Sequence, residues 1–145
     1  MEREEDLAKE ELRRIDHLVF VTLKYTRTVD VIRTIIAKFI LALDYRVSEY
    51  HEHLLENRKI DSIPPAPLMR LKNLEKVHPK DQTVKDIVDF YMMLKQVNNT
   101  EFKAKEEYRK NVTLVTKDKE VNINTLKEYV EVVKRHLDYI ERLKK

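Results

Sequence analysis

The sequence contains no glycine, no cysteine and no tryptophan among its 145 residues. At the usual glycine frequency of about 7%, a chain of this length would contain roughly ten glycines. Glycine allows positive φ and a close backbone approach to phosphate, so its absence excludes a Walker loop, a GxGxxG dinucleotide turn and a GxSxG nucleophile elbow. The absence of cysteine excludes disulfides, thiolate zinc sites and a cysteine nucleophile. The missing glycine favours helices, because they use glycine only at their ends whereas tight hairpins use it in their turns.

Long apolar runs are also missing. No segment approaches the roughly 20 apolar residues of a membrane span, and the acidic N-terminus lacks the apolar region of a signal peptide. The 29 basic and 26 acidic side chains give a net charge of +3, too small to indicate nucleic-acid binding by itself. We expect one cytoplasmic domain spanning residues 1–145, with no membrane partner. The high charge favours a thermophilic source, whereas the seven asparagines argue against one.

The first half of the chain has a helical pattern. Apolar residues recur every three or four positions from Ile15 to Leu54, which is the period of one helix face. A single helix from residue 2 to 58 would be roughly 85 Å long, longer than a domain of this size is wide. We therefore predict a break at Tyr25–Thr28, where two threonines can cap a new helix. The predicted helices are about 2–25 and about 28–57, and a kinked single helix is the alternative.

Prolines interrupt this pattern after the second helix. Three of them lie between residues 60 and 67, where they remove backbone donors and favour an extended conformation. We predict a stiff connector there, followed by a short helix from about residue 68 to 77. The next helix is predicted to begin at a cap formed by Asp81 or Thr83 and to end at Asn98-Asn99-Thr100.

The pattern changes again in the last third of the chain. A helix is predicted to start at Glu101, and residues 112–123 are β-branched and partly alternating, which predicts a short hairpin or an irregular connector. Asn124 is predicted to cap a last helix, whose stripe from residue 126 to 140 is the most regular in the chain. The predicted fold class is all-α, an up-and-down bundle of four to five helices with a small β-hairpin near 112–123.

Acidic and histidine side chains cluster near the end of the second predicted helix. Glu49 and His53, and Glu52 and Glu56, are each four residues apart, a spacing at which a helix can present two metal ligands. A di-iron bundle needs Glu-x-x-His on two helices, and the sequence has no second copy. We predict no metal, no cofactor and no catalytic residue, and we favour a non-enzymatic protein. A metal-dependent enzyme using Glu49, Glu52 and His53 is a remaining hypothesis.

The predicted helix break has an unusual composition. Residues 23–30, LKYTRTVD, place two cations, two hydroxyls and a phenol beside the first amides of the second helix. Free amides at a helix start attract anions, so Lys24 and Arg27 beside them would form an anion site. The alternative is that Thr26 or Thr28 caps the helix and that Arg27 and Arg33 pair with Asp30.

A second polar cluster, KAKEEYRKN at residues 103–111, carries a family resemblance. Arg109 and Asn111 match the first part of the ribonuclease signature of the HEPN family, which is an arginine, a polar residue and then a histidine a few residues later. The chain resembles these prokaryotic helical proteins, which often dimerise; some are RNA-cleaving toxins and others partner minimal nucleotidyltransferases. Residues 112–116, VTLVT, contain no histidine, so the resemblance implies RNA or nucleotide binding and puts nuclease activity in doubt. The chain also resembles an uncharacterised group of archaeal helical proteins.

Two functions follow from these observations. The first is a helical interaction protein that forms a homodimer, because the predicted helix stripes carry tyrosines that suit an interface. These tyrosines are Tyr45, Tyr50, Tyr129 and Tyr139. The alternative is a HEPN-like protein that binds RNA or a nucleotide in a basic groove. The residues of this groove are Lys24, Arg27, Arg109, Lys110 and Asn111.

Overall fold

The computed structural model describes residues 6–145, which form a mostly helical structure with a small three-stranded antiparallel sheet. The long and medium helices are α1 (Leu7–His17), α2 (Val29–Glu56), α3 (Pro67–Val77), α4 (Gln82–Asn99) and α5 (Ile123–Arg142). The strands are β1 (Lys103–Lys105), β2 (Thr113–Val115) and β3 (Glu120–Asn122). The helical class predicted from the sequence is confirmed. Residues 2–5 of the first predicted helix lie outside the described residues.

The helix break is where the sequence predicts it. After α1 the chain continues through a π-helical segment, Leu18–Thr22, and a last helical turn, Leu23–Tyr25. Residues 26–28 are not helical, so the kinked single helix is not formed. Thr28 is extended (φ −122°, ψ 155°), and its Oγ1 accepts a hydrogen bond from the Val31 amide at 3.3 Å. The new helix therefore begins at a threonine cap.

The π-helical segment changes which side chains face the core. The apolar stripe includes Tyr25, yet the Tyr25 side chain is 83% exposed. A π-helix takes more residues per turn than an α-helix, which rotates the residues that follow it. Val19 and Leu23 are the buried residues of this part of the chain, and Phe20 and Tyr25 face outward.

Helix α2 is the central element, and it contacts α1, α3, α4, α5 and β2. Two polar contacts show the direction of α4. The Tyr91 hydroxyl donates to Asp44 Oδ1 at 2.7 Å, and Arg33, near the start of α2, donates to the Asn98 carbonyl at the end of α4. Helix α4 therefore runs antiparallel to α2.

The directions of α1 and α5 relative to α2 follow from three further contacts. Glu11, in the second turn of α1, pairs with Lys38 at 3.5 Å, while the end of α1 leads into the start of α2, so these two helices are antiparallel. Arg46 contacts Glu141 near the end of α5. Phe39 packs edge-on against Tyr129 near its beginning, so α5 runs parallel to α2.

The predicted hairpin forms without glycine and is extended by a third strand. β2 and β3 pair around Leu114 and Val121, and the Thr116 amide donates to the Lys119 carbonyl at 2.8 Å to close the loop. The helix predicted from Glu101 is wrong, because residues 103–105 pair with β2 as an exposed edge strand. This segment has too few apolar residues for a helix to bury a face.

The cap of the last helix lies two residues before the predicted one. Asn122, not Asn124, is the N-cap: its Oδ1 accepts from the Thr125 amide at 2.9 Å, and Thr125 Oγ1 accepts from the Asn122 amide at 3.3 Å. These reciprocal bonds form a capping box. Asn122 ends β3 in an extended conformation, so the strand leads directly into α5.

Candidate nucleic-acid interface

The loop between β1 and β2 docks on the helix break. The Tyr108 amide donates to the Arg27 carbonyl at 2.7 Å. The Val29 amide donates to Glu107 Oε2 at 3.0 Å, a contact between residues 78 positions apart. The two polar segments singled out in the sequence, 23–30 and 103–111, are therefore neighbours in the structure.

The start of α2 is occupied by the chain's own side chains. The first amides of a helix have no partner within the helix. Here Glu107 accepts from Val29, and Thr28 accepts from Val31. The Glu107 carboxylate thus lies where the sequence predicted an external anion. Arg27 forms no ion pair with Asp30 or with any other carboxylate of residues 6–145.

Two residues of the docked loop adopt left-handed backbone conformations. Glu106 has φ 57° and Tyr108 has φ 69°. This conformation costs a residue other than glycine on the order of 1 kcal/mol. The two residues flank Glu107, which is half-buried against α2, whereas the Tyr108 side chain is 77% exposed. The strained turn therefore directs a carboxylate inward and an aromatic ring outward.

A pocket of about 300 Å³ lies between this loop and the start of α5. Three of the five predicted site residues line it: Arg27, Lys110 and Asn111. Lys24 and Arg109 do not line it; both are exposed, and Arg109 lies 3.9 Å from Glu106. The other lining residues come from the end of β3 and the start of α5: Asn122, Ile123, Asn124 and Lys127.

The cations of the pocket are not neutralised by the described part of the chain. Arg27, Lys110 and Lys127 form no ion pair within it. Arg27 Nε is buried and has no hydrogen-bond partner among the described residues. A buried charged donor without a partner is costly, so these side chains are available to an external anion.

Sequence reasoning missed Lys127, Asn122 and Asn124. The signal that could have found them is the predicted hairpin at 112–123, because the residues that flank a hairpin come together. Lys110 and Asn111 precede it, and the three missed residues lie at its other end. The hairpin therefore brings the start of α5 to the helix break.

The exposed aromatic side chains among residues 6–145 come from two segments of the chain, residues 20–25 before α2 and residues 102–108 around β1 and its loop. They are Phe20 (42% exposed), Tyr25 (83%), Phe102 (36%) and Tyr108 (77%). Two of them contact cations: Lys127 Nζ is 5.8 Å from the Phe20 ring centroid, and Arg33 Cζ is 4.5 Å from that of Phe102. We name this surface the basic aromatic end. It comprises Phe20, Lys24, Tyr25, Arg27, Phe102, Tyr108, Arg109, Lys110, Asn111 and Lys127.

Two of the residues considered for a metal, Glu49 and His53, contact other side chains. Glu49 Oε1 accepts from Lys144 at 2.7 Å and from Arg46 at 3.4 Å, and the half-buried His53 is close to Asn57. Within residues 6–145, no group of three histidine or acidic side chains is arranged to hold a metal ion. None of the helices described here has the length and apolar character needed to cross a bilayer.

The tyrosines proposed for a dimer interface make contacts inside the protomer. The Tyr50 hydroxyl is 2.7 Å from His78 Nε2, Tyr139 donates to Asp81 at 2.5 Å, and Tyr129 lies against Met93. Tyr45 is half-buried against the core. These side chains do not form an exposed patch, so a homodimer needs another surface.

No protein-family model matches the chain, and no significant match is found among curated proteins or solved structures. The HEPN resemblance therefore stays a prediction.

Proposed function

We propose that this protein binds single-stranded RNA across the basic aromatic end without cleaving it. The observation that carries the proposal is that exposed aromatic rings occur at this end together with Arg27, Lys110 and Lys127, which have no acidic partner among residues 6–145. Single-stranded nucleic acids are bound by this combination, in which aromatic faces stack on bases and basic side chains contact the backbone.

Tyr25 and Tyr108 are the principal stacking residues of this proposal. They are the two most exposed aromatic side chains in the described part of the chain. The backbone hydrogen bond between Tyr108 and Arg27 holds the β1–β2 loop against the helix break, and Arg27 is two positions after Tyr25 in the sequence. Base stacking on one such ring contributes about 1–3 kcal/mol to binding, so two rings give useful affinity without base-specific contacts.

The absence of cleavage follows from where the histidines lie. The chain has five, and none of them falls in residues 20–35 or 101–130, which supply the basic aromatic end. They are His17, His51, His53, His78 and His136. His51 and His136 are also part of the interior, where burial lowers the pKa of each. The HEPN resemblance supports RNA as the ligand, and the missing signature histidine supports binding over hydrolysis.

The architecture proposed for this function is an up-and-down bundle. Helices α1, α2, α4 and α5 alternate in direction, as their contacts indicate, with α3 in the connection between α2 and α4. Such an arrangement brings the end of α1, the start of α2, the end of α4 and the start of α5 to one end. The homodimer stays a separate prediction, and light scattering at micromolar concentration tests it.

Salt dependence tests the electrostatic part of the proposal. Fluorescence anisotropy of a labelled single-stranded RNA of about ten nucleotides measures the affinity. If Arg27, Lys110 and Lys127 each contact a phosphate, affinity should fall about 18-fold between about 50 and 200 mM salt, from a slope of about −0.7 per contact. Absence of binding, or binding insensitive to salt, would show that the proposal is wrong.

Replacement of Tyr25 tests the stacking part. Tyr25→Ala should weaken RNA binding about tenfold, because one base loses its stacking partner. Met69→Ala is the matched control: Met69 is 53% exposed and lies on α3, which packs mainly against α2 and α4. Equal affinities of the two variants would contradict the role of Tyr25.

A further inference from the structure

We propose that the pocket between the β1–β2 loop and α5 binds a terminal phosphate, so that the protein prefers RNA with a phosphorylated end. This inference rests on the proposed RNA binding and assigns the pocket a role distinct from the stacking surface. The ligand class is a phosphomonoester, present at the end of a strand or on a mononucleotide.

The first argument is the convergence of cations from separate elements. Arg27 comes from the break before α2, Lys110 from the β1–β2 loop, and Lys127 from the second turn of α5. The lining residues also include the amide side chains of Asn111 and Asn124, and no carboxylate. Guanidinium, ammonium and amide groups are all hydrogen-bond donors to phosphate oxygens, and the charged ones make the stronger bonds.

The second argument compares the charge of the two kinds of phosphate. A monoester carries about −1.5 to −2 at pH 7 and has three terminal oxygens. An internal diester carries a single charge and has two such oxygens. Three cations without a carboxylate match the monoester better, because a single diester leaves two of them unneutralised.

The third argument concerns the alternative anion site at the start of α2. The Glu107 carboxylate already accepts from the Val29 amide, and Thr28 accepts from Val31. An incoming phosphate would be repelled by Glu107 at that position. Arg27 is held beside this occupied helix start by its backbone bond to Tyr108, and its side chain lines the pocket instead.

The fourth argument is the fit of the surroundings to a strand end. The pocket, at about 300 Å³, lies at the lower end of the range for small-molecule sites, so it suits a phosphate with its attached sugar and not a longer segment. Phe20 lies against Lys127, and Tyr108 is two residues from Lys110. The Phe20 ring, whose centroid is 5.8 Å from the Lys127 ammonium, is the surface on which the terminal base would stack.

The test compares RNAs of one sequence, each with an internal fluorescent label. One strand has hydroxyls at both ends, one has a 5′ phosphate and one has a 3′ phosphate. The unmodified protein should bind one of the phosphorylated strands about tenfold more tightly than the hydroxyl strand, because the monoester gains charge-assisted hydrogen bonds. Whichever phosphorylated strand binds more tightly identifies whether the 5′ or the 3′ end of the RNA enters the pocket.

Two double variants locate the preference. Lys110→Gln with Lys127→Gln should reduce it to less than about twofold, because both ammonium groups of the pocket are lost. Lys72→Gln with Lys76→Gln removes the same charge from exposed positions on α3 and should leave the preference unchanged. Circular dichroism checks that each variant is folded. A preference that survives in the pocket variant would overturn the assignment.

Mononucleotides separate phosphate recognition from base recognition. AMP should displace the phosphorylated strand, and adenosine should not; equal displacement by both would show that the phosphate is not what the pocket recognises. Equal affinity for all three strands, with salt-dependent binding retained, would overturn this inference and leave the proposed function standing. If no strand binds, the proposed function itself is wrong.

Discussion

Arg46 and Arg27 carry the same guanidinium group in opposite surroundings. Arg46 is 3% exposed, and its Nη1 contacts Asp6, Glu49 and Glu141 at 3.3, 3.4 and 3.1 Å. Arg27 lines an open pocket and meets no carboxylate of residues 6–145. The difference shows what separates a structural cation from a binding one. Acidic side chains from several elements neutralise Arg46, whereas Arg27 has no such partner and is available to bind a ligand.

The two sites are far enough apart to be changed independently. Arg46 lies 17 residues after Val29, the first residue of α2, which corresponds to about 25 Å along the helix. Asp6 at the start of α1 and Glu141 near the end of α5 belong to the Arg46 site, while the segment that follows α1 and the start of α5 belong to the basic aromatic end. Mutations at one site should therefore leave the other intact.

The largest effect is expected for Arg46→Met. This change leaves three carboxylates without their shared cation and should lower the free energy of unfolding by about 3 kcal/mol. Urea unfolding followed by circular dichroism measures it, with Arg13→Met, at an exposed position of α1, as the control. RNA affinity should remain within about twofold. A loss of stability no larger than that of the control would show that Arg46 does not stabilise the fold.

A histidine on α5, between the ends of that helix that serve the two sites, produces a pH dependence. Burial, helped by Arg135, lowers the pKa of His136 from 6.5 to about 4. Between those values the unfolded chain takes up a proton that the folded chain does not, so stability is complete above pH 6.5 and decreases as the pH falls toward 4. At pH 5 the loss should be about 2 kcal/mol relative to pH 7.

His136→Leu tests this assignment, because it removes the titrating group and keeps an apolar contact with Phe90. The pH dependence of unfolding between pH 7 and 5 should become shallower. It should not vanish, since burial also lowers the pKa of His51. An unchanged slope would mean that His136 does not titrate as its surroundings indicate.

Arg27→Gln is the counterpart of Arg46→Met. Since Arg27 has no ion pair to lose, the free energy of unfolding should change by less than about 0.5 kcal/mol. RNA affinity should fall about tenfold, because a charge-assisted contact to phosphate is removed. Unfolding and anisotropy measurements on the same preparation check both. A destabilisation comparable to that of Arg46→Met would show that the two arginines have similar roles.

Local signals predicted much of the fold. Thr28 and Asp81 cap helices as expected, since a capping side chain bonds an amide only a few residues away. The hairpin at 112–123 was also visible in its β-branched residues. β1 and the outward rotation of Tyr25 were not visible, because an edge strand depends on its partner and a π-helical segment on the packing of the whole helix.

The candidate site was predicted only in part, because local patterns reveal some of its residues and the others depend on contacts between distant segments. Arg27, Lys110 and Asn111 were recognised by composition, and the structure brings them to one pocket. The Glu107–Val29 contact joins residues 78 positions apart, and no local pattern indicates it. Lys127 became part of the site only through the hairpin that returns the chain to the helix break.

The smallest effects concern two of the left-handed residues, Arg58 just after α2 and Tyr108 in the basic aromatic end. Arg58 has φ 57° just after α2, where the Lys59 amide donates to the Leu54 carbonyl at 2.8 Å in the pattern of a glycine-type helix end. Arg58→Gly should raise the free energy of unfolding by up to about 1 kcal/mol, because glycine adopts this conformation without steric cost. Lys59→Gly, at a residue with negative φ, should not raise it.

Tyr108 has the same backbone conformation, with φ 69°, but lies in the basic aromatic end. Tyr108→Gly should therefore stabilise the fold by a similar amount, up to about 1 kcal/mol, while weakening RNA binding about tenfold through the lost stacking surface. Arg58→Gly should stabilise the fold without changing RNA affinity. If both variants change the free energy of unfolding and neither changes RNA affinity, the strain at Tyr108 has no connection with binding. If Tyr108→Gly raises stability and lowers RNA affinity, the strained turn serves to present the exposed ring to RNA.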